Sequence, residues 1–403
     1  MRFIVASDLH LGFNAKGREE DCWKAAEELF KTVKQHDADF LLLAGDIFDS
    51  AIPKQEVWHK AFRLFSILNK AKKSDVKISR NNKELDFNGI PVISIHGTHE
   101  YRAKDYRNAL EVLQEAGALI YLQKDPIIVE KENEKVALFG LGGIPELYAK
   151  KVFSAWQPMP IKDAYNVLLL HQSLKDFMHE KAEATLSLED LPQGFQLYIN
   201  GHLHWSYKAK LHNGTFIMPG STVITQLHER ESRREKGYFI VDTLTKEINF
   251  FALKFRRPFY YISLNFDSAD SSAIFQSIEA KLDEIPPSSI KPIVKIKLTG
   301  NLKPGLEPAD ITFAHLIEKY DNLIISISKD FSSKGVKHRI EELRKLQKEK
   351  ISILDKGLEM LNNELNKSGF KDLVDQKRLF ELLANDDLEK AVELLVSKMK
   401  NKG

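Results

Sequence analysis

Apolar residues along the first 250 positions fall into short, near-continuous runs: Phe3 to Ala6, Phe40 to Ala44, Val92 to Ile95, Val136 to Leu141, Val167 to Leu170 and Leu197 to Ile199. Unbroken Val, Ile and Leu over such lengths suits strands covered on both faces, whereas a half-exposed strand alternates. The segments Glu19 to Gln35 and Glu56 to Lys73 instead space their apolar residues by three and four, which predicts amphipathic helices. Strand and helix alternating in this way predict an α/β layered core. After Leu203 the texture becomes strand-and-turn: Ser206 to Leu211, Thr215 to Met218 and Tyr238 to Asp242, separated by Asn213-Gly214 and Gly237, predict antiparallel strands that complete the sheet.

Arg256-Arg257-Pro258 interrupts the pattern. Strands at Tyr260 to Phe266, Ile293 to Leu298 and Leu323 to Ser328, with a helix at Ala273 to Leu282, then predict a small α+β domain. Beyond Gly335 the chain reads as helical and highly charged, with Ile351, Leu354, Leu358, Leu361 and Leu365 at the spacing of an interface stripe. A second tail helix is expected to open at Asn385 or Asp386, both good N-caps, and to carry Leu388, Val392, Leu395 and Met399 on one face. The resulting division is 1–255, 256–330 and 331–403. The polar stretch Lys72 to Asn88 reads as an exposed inserted loop or hairpin.

Composition narrows the class. With 403 residues and 43% hydrophobic content, the chain can bury a large core in two or three domains. The 59 basic and 57 acidic residues leave a formal charge of +2, so no global field marks a nucleic-acid or membrane-surface binder and any attraction to phosphate must be local. A single cysteine, Cys22, excludes an intrachain disulfide and a multi-cysteine zinc site. The opening apolar run is too short for a signal peptide, and no stretch approaches the ~18 apolar residues that span a bilayer. The expectation is a soluble cytoplasmic protein without membrane contact.

Four of the six runs end within a few residues of a metal-competent side chain: Asp8 and His10, Asp46, His171, and His202 with His204. Ligands of α/β sheets gather at the carboxyl ends of strands, so these segments can converge on one crevice. Alternate positions after a strand share a face, which pairs Asp8 with His10 and His202 with His204. Mixed imidazole and carboxylate donors suit Mn, Fe, Zn or Co. A carboxylate such as Asp46 can bridge two ions, and a pair of cations ~3.5–4 Å apart can drive in-line displacement at phosphorus. Gly45, Gly97 and Gly201 fall where the backbone must turn beside such ions.

Read as DxH, GDxxD (Gly45 to Asp49), GTHE (Gly97 to Glu100), a lone strand-end His171 and GHxH (Gly201 to His204), these motifs resemble the calcineurin-like metallophosphoesterase superfamily. Within it the chain resembles the nuclease subunits of double-strand-break repair complexes, the Mre-eleven family of archaea and eukaryotes and the SbcD family of bacteria. The opening Asp8 to Gly12, the turn Pro219 to Thr222 before Glu235 to Tyr238, and the three-part layout carry that narrower likeness. The resemblance implies a four-layer β-sandwich flanked by helices, a small capping domain that contacts DNA, and a helical tail. It implies two divalent cations, Mn2+ above all: one held by Asp8, His10, Asp46 and His204, the other by Asp46, His171, His202 and the residue at position 98. His99 is then the acid that protonates the leaving 3′ oxygen, and Asp49 and Glu100 orient imidazoles from behind. The chain departs at Thr98, where the superfamily usually has asparagine and where a neutral hydroxyl is a poorer ligand; His96, two residues earlier, is a candidate substitute.

Three functions follow from these readings. The first is a Mn-dependent 3′-to-5′ exonuclease and single-strand endonuclease for duplex ends, working as a homodimer with a coiled-coil ATPase of the Rad-fifty or SbcC type that takes the tail helices. The second is a stand-alone phosphodiesterase for small nucleotides, against which a capping domain and a partner-binding tail argue. The third, motivated by Thr98, is a weakly active DNA-end-binding scaffold. Arg230, Arg233 and Arg234 could meet DNA phosphates or form a solvated loop, and the same holds for Lys77, Arg80 and Lys83.

Overall fold

In a computed structural model, which describes residues 1–102, 106–178, 185–331, 361–362, 376–384 and 392, all six apolar runs form strands, but they divide between two sheets. The first sheet has the order Glu247–Ala252, Gly237–Asp242, Arg2–Ala6, Phe40–Ala44, Val92–Ile95, Ile120–Tyr121, with the last four parallel and the first two antiparallel. The second has the order Tyr207–Leu211, Gly214–Met218, Leu197–Asn200, Tyr165–Leu170, Glu134–Leu141, Ile127–Lys131, Lys77–Arg80, Lys83–Glu84.

Every strand of the central parallel set is covered on both sides, which is why its sequence does not alternate. Phe3, Val5, Leu42 and Ile93 of the first sheet meet Leu138, Val167, Leu169 and Ile199 of the second between the sheets. Their neighbours Ile4, Leu41 and Leu43 turn outward onto Leu29, Phe30 and Phe65 of the helices Asp21–Gln35 and Gln55–Asn69. On the other side Phe139, Leu168, Tyr198 and Phe216 pack with Ala149 and Phe153 of the helix Glu146–Trp156. Helix, sheet, sheet and helix thus make four layers around three apolar seams.

The strands after Leu203 differ from expectation. Gly214–Met218 runs parallel to Leu197–Asn200 and only Tyr207–Leu211 is antiparallel beside it, while Gly237–Asp242 crosses to the first sheet and pairs antiparallel with Arg2–Ala6. Local turn residues fix a hairpin, but not which sheet receives the next strand. The Lys72 to Asn88 stretch is a hairpin, Lys77–Arg80 with Lys83–Glu84, that extends the edge of the second sheet and buries Ile78. Arg80 reaches the Tyr121 carbonyl from there.

Two compact units are found. One comprises Met1–Ser263, Ile278–Lys297 and Thr312–Ser328; the other comprises Leu264–Ser277, Leu298–Ile311 and the described residues from Lys329 onward. Phe259–Ala269, Ile293–Leu302 and Ile324–Phe331 form a three-stranded sheet in that order, accompanied by the helices Ser271–Asp283 and Ala314–Lys319. Arg257, at the sequence break, forks onto the carboxylate of Asp21 with two bonds of 2.7 Å. In the tail Gln376–Ala384 is helical and buries Leu379. Of the predicted tail stripes, Leu361 lies in a described helical turn and Val392 is exposed, whereas Ile351, Leu354, Leu358, Leu365, Leu388, Leu395, Met399 and the caps Asn385 and Asp386 lie outside the described residues. Among the described residues no helix is long and apolar enough to cross a membrane.

Phe3 stacks on Phe40 at 4.6 Å between ring centroids in the seam between the sheets. We predict that Phe3→Ala costs ~3–5 kcal/mol, whereas Leu244→Ala, at 76% exposure, stays within ~0.5 kcal/mol. Denaturant midpoints of the two variants measure the difference.

Candidate metal centre

The loops after five strands meet at one end of the sandwich. Asp8 follows Arg2–Ala6, Asp46 follows Phe40–Ala44, Thr98 and His99 follow Val92–Ile95, His171 follows Tyr165–Leu170, and His202 with His204 follow Leu197–Asn200. Backbone bonds stitch the loops together: Asp8 N–H donates to the Gly45 carbonyl at 2.9 Å, His10 N–H to that of Asp46 at 3.0 Å, and Gly201 N–H to that of Leu170 at 2.9 Å. Extended alternation is not what brings these pairs together. Asp8, His10, Asp46 and His202 have φ of 53°, 47°, 49° and 74°, so the side chains converge through left-handed turns and not through extended alternation. Gly45 also has positive φ, while Gly97 is required by space, since a Cβ there would overlap the Asp46 carboxylate.

Ligand-capable atoms of Asp8, His10 and His204 lie within 4.8 Å of one another, as do those of Asp46, His171 and His202, and those of His10, Asp46 and His99. Hydrogen bonds at the far nitrogens decide which atoms face inward. Nδ1 of His171 donates to the Ala44 carbonyl at 2.7 Å, Nδ1 of His10 lies 3.1 Å from Asp49 Oδ1, and Nδ1 of His204 lies 2.7 Å from Thr225 Oγ1. Their Nε2 atoms are left for the cluster, with those of His10 and His204 only 3.2 Å apart. His202 is reversed: its Nε2 is 3.0 Å from Ser173 Oγ, and its Nδ1 faces Thr98 Oγ1 at 3.5 Å. Thr98 Oγ1 is also 3.4 Å from Asp46 Oδ2, so the hydroxyl sits beside the second group.

Charge in this enclosure is unevenly shared. Burial works against the charged form of His171, but the carboxylates of Asp46 and Asp8 outweigh it and push the ring up to about 10. Burial likewise opposes ionisation of Asp46, yet the neighbouring His171 holds it well below the usual carboxylate range. Burial raises Asp8. It lowers His202 to about 4 and His204 well below its ordinary value, aided by neighbouring imidazoles, so both stand as the neutral rings that metals need.

A cation fits here on three grounds. His171 Nε2 is fully buried and makes no hydrogen bond among the described residues, although the Asp46 carboxylate lies 3.1 Å away as its ion-pair partner. The Nε2 atoms of His10 and His204 are both turned into the cluster, 3.2 Å apart, where one cation can meet the two rings together. The donor set mixes imidazole and carboxylate in the manner of transition-metal sites.

The sequence profile of the calcineurin-like phosphoesterases matches residues 1–206. The DNA double-strand break repair protein Mre11 of Sulfolobus acidocaldarius is 27% identical over 311 residues, covering 75% of this chain and 76% of that one. The double-strand break repair protein MRE11 of Arabidopsis thaliana is 25% identical over 470 residues, 99% of this chain and 62% of its own, and that of Homo sapiens is 27% identical over 274 residues, 57% and 38%. The chain belongs to the calcineurin-like phosphoesterases, in their Mre11 branch. This calcineurin-like chain spans about three quarters of the archaeal relative but less than two thirds of the plant and human ones. It is a metal-dependent phosphodiesterase.

His99 stands apart from the buried imidazoles. Its side chain is 42% exposed, its N–H donates to Asp46 Oδ1 at 2.8 Å, and its Nδ1 donates to the Asp49 carbonyl at 2.8 Å, which leaves Nε2 at the mouth of the site, 4.0 Å from Asp46 Oδ2. Two expectations change. Among the described residues Glu100 touches no imidazole; its buried carboxylate accepts from the N–H groups of Phe48 and Gly97, each at 2.6 Å, and so ties two ligand loops together. Both ring nitrogens of His96 are engaged, with Tyr121 Oη at 2.6 Å and the Gly143 carbonyl at 3.2 Å, so this ring does not substitute for an amide at position 98. Arg230, Arg233 and Arg234 are exposed; Arg230 lies over the Trp205 ring and Arg233 pairs with Glu229.

Sequence reasoning missed the groups behind these side chains, because nothing local distinguishes them. Lys236 is buried and donates to the His204 carbonyl at 2.6 Å, to Ser221 Oγ at 2.8 Å and to Glu231 Oε1 at 2.6 Å. Burial lowers Lys236 and raises Glu231, each opposed by its partner. We predict that Lys236→Ala, which strands the Glu231 carboxylate, costs ~3–5 kcal/mol, and that Lys236→Met with Glu231→Leu recovers most of it. Chemical denaturation checks the ranking.

Proposed function

We propose that the chain is a Mn-dependent DNA nuclease, a 3′-to-5′ exonuclease and single-strand endonuclease, that processes double-strand-break ends with a coiled-coil ATPase partner of the Rad-fifty or SbcC type. The observation that supports it is the convergence of six metal-competent side chains and one exposed imidazole at a single end of the sandwich. The names of the archaeal, plant and human relatives, all double-strand break repair proteins, favour DNA over a small ester. In this reading Asp8, His10, Asp46 and His204 hold one cation, and Asp46, His171, His202 and the weak ligand Thr98 hold the other. The domain 256–330 contacts DNA, with Arg230, Arg233 and Arg234 as further phosphate contacts, and 331–403 binds the ATPase. The working form is a homodimer in the cytoplasm, associated with the nucleoid.

Held by these residues, two divalent cations would neutralise charge on the phosphodiester and acidify a water as nucleophile. The protein's own groups do the rest. Asp49 holds the His10 ring through Nδ1, and the Ala44 carbonyl holds that of His171, so the donor atoms cannot rotate away. His99, fixed by its bond to the Asp49 carbonyl, presents Nε2 to pass a proton to the departing 3′ oxygen.

We predict that labelled linear duplex and single-stranded circles are cut with Mn2+ and spared with EDTA, and that His99→Gln lowers turnover by ~10²–10⁴ while Mn2+ uptake persists. DNA left intact with every metal while a small phosphodiester is hydrolysed would remove the nuclease reading. Thr98→Asn is expected to tighten the weaker Mn2+ step and to speed cleavage; a change from no cleavage to strong cleavage marks the natural chain as an end-binding scaffold.

A further inference from the structure

Position 98 offers the second cation a poor ligand, which puts more weight on the one imidazole in that group whose orientation differs from the rest. His202 faces the cluster with Nδ1, so its Nε2 must carry the proton for Nδ1 to have a free lone pair. Its surroundings supply a reason for that tautomer. Ser173 Oγ lies 3.0 Å from His202 Nε2 and also contacts Glu146 Oε1. A serine hydroxyl has one proton. An ionised carboxylate can only accept, so the proton of Ser173 is directed to Glu146, and the remaining lone pairs of Oγ accept from His202 Nε2–H.

Both relay residues are held from outside the ligand set. The residue before Ser173, Gln172, exchanges bonds with Asn200 at 3.0 and 3.1 Å and donates to the Gly142 carbonyl at 2.9 Å. Glu146 opens the helix Glu146–Trp156, where a carboxylate is favoured by the helix N-terminus. The same segment, Gly142 to Glu146, therefore anchors the backbone beside His171 and terminates the relay from His202. Ser173 is buried at 6% exposure, so water does not compete easily for its hydroxyl.

We propose that Ser173 and Glu146 form a positioning relay that locks His202 in the Nε2–H tautomer, presenting a strengthened Nδ1 donor to the second cation and offsetting the weak ligand at Thr98. The proposal rests on the two-cation reading above for its consequence, but the tautomer itself belongs to the metal-free chain. The test has two readouts on the full chain. Ring ¹⁵N shifts of His202 in EDTA-stripped protein are expected to show Nε2 protonated, with Ser173→Ala moving the ring to a mixture or to Nδ1–H. Mn2+ titration, followed by calorimetry and by the EPR signal of free ion, is expected to show two steps. Ser173→Ala weakens the second ~10- to 100-fold and leaves the first unchanged, which also reports that the variant is folded. Ser173→Thr restores the wild-type values, Glu146→Gln falls between, and Ser173→Ala combined with Thr98→Asn regains the second step. Proton on Nδ1 in the wild type, or a Ser173→Ala variant with unaltered ring shifts and Mn2+ steps, overturns the relay. Equal loss of both steps overturns it too. A wild type that takes up a single ion refutes the two-cation reading and the compensation for Thr98, while the ring shifts still decide whether the relay exists.

Discussion

The carboxylate of Asp46 is the group around which the rest of the site is arranged. It is almost sealed from water, where an isolated charge is expensive, and it sits on a left-handed residue between the ends of two parallel strands. His99 N–H and His171 Nε2 approach it from separate loops, and Gly97 has to lack a side chain so that it can fit. These contacts keep Asp46 ionised against its burial, and a proton on His171 balances it. A cation held by these residues would take over the part played by that proton, and its binding would then release a proton.

The sandwich makes this concentration of charge tolerable. Parallel strands buried on both faces end together, and three apolar seams hold those ends in register. Strain stored in the positive φ values of Asp8, His10, Asp46 and His202 is sustained because the strands that precede them have no freedom to relax it. The polar groups behind the cluster extend the same logic. Asp49, Ala44, Thr225 and Ser173 each occupy one ring nitrogen, Glu100 fastens two backbone loops, and the Lys236–Glu231 pair holds the carbonyl of His204. The directions of these bonds, more than the identity of the side chains, determine which imidazole nitrogen each ring turns into the cluster.

Much of the core and of the site is legible in the residue pattern. Runs such as Leu41-Leu42-Leu43 and Val167-Leu168-Leu169-Leu170 are legible as doubly buried strands because the two-sided environment removes alternation. Metal-competent residues immediately after such runs are legible as neighbours of one crevice because strand ends of a layered fold point the same way. The tertiary structure alone decided the partition of six runs between two sheets and the crossing of Gly237–Asp242 to the first, since sheet choice depends on long-range packing that a local pattern does not encode. It also decided the left-handed turns, the separate stations of His96 and Glu100, and the reversed ring of His202. A histidine or a serine looks the same in sequence whether it faces a metal, a carbonyl or another side chain; only the hydrogen-bond partner brought from a distant segment, as Ser173 is to His202, tells them apart.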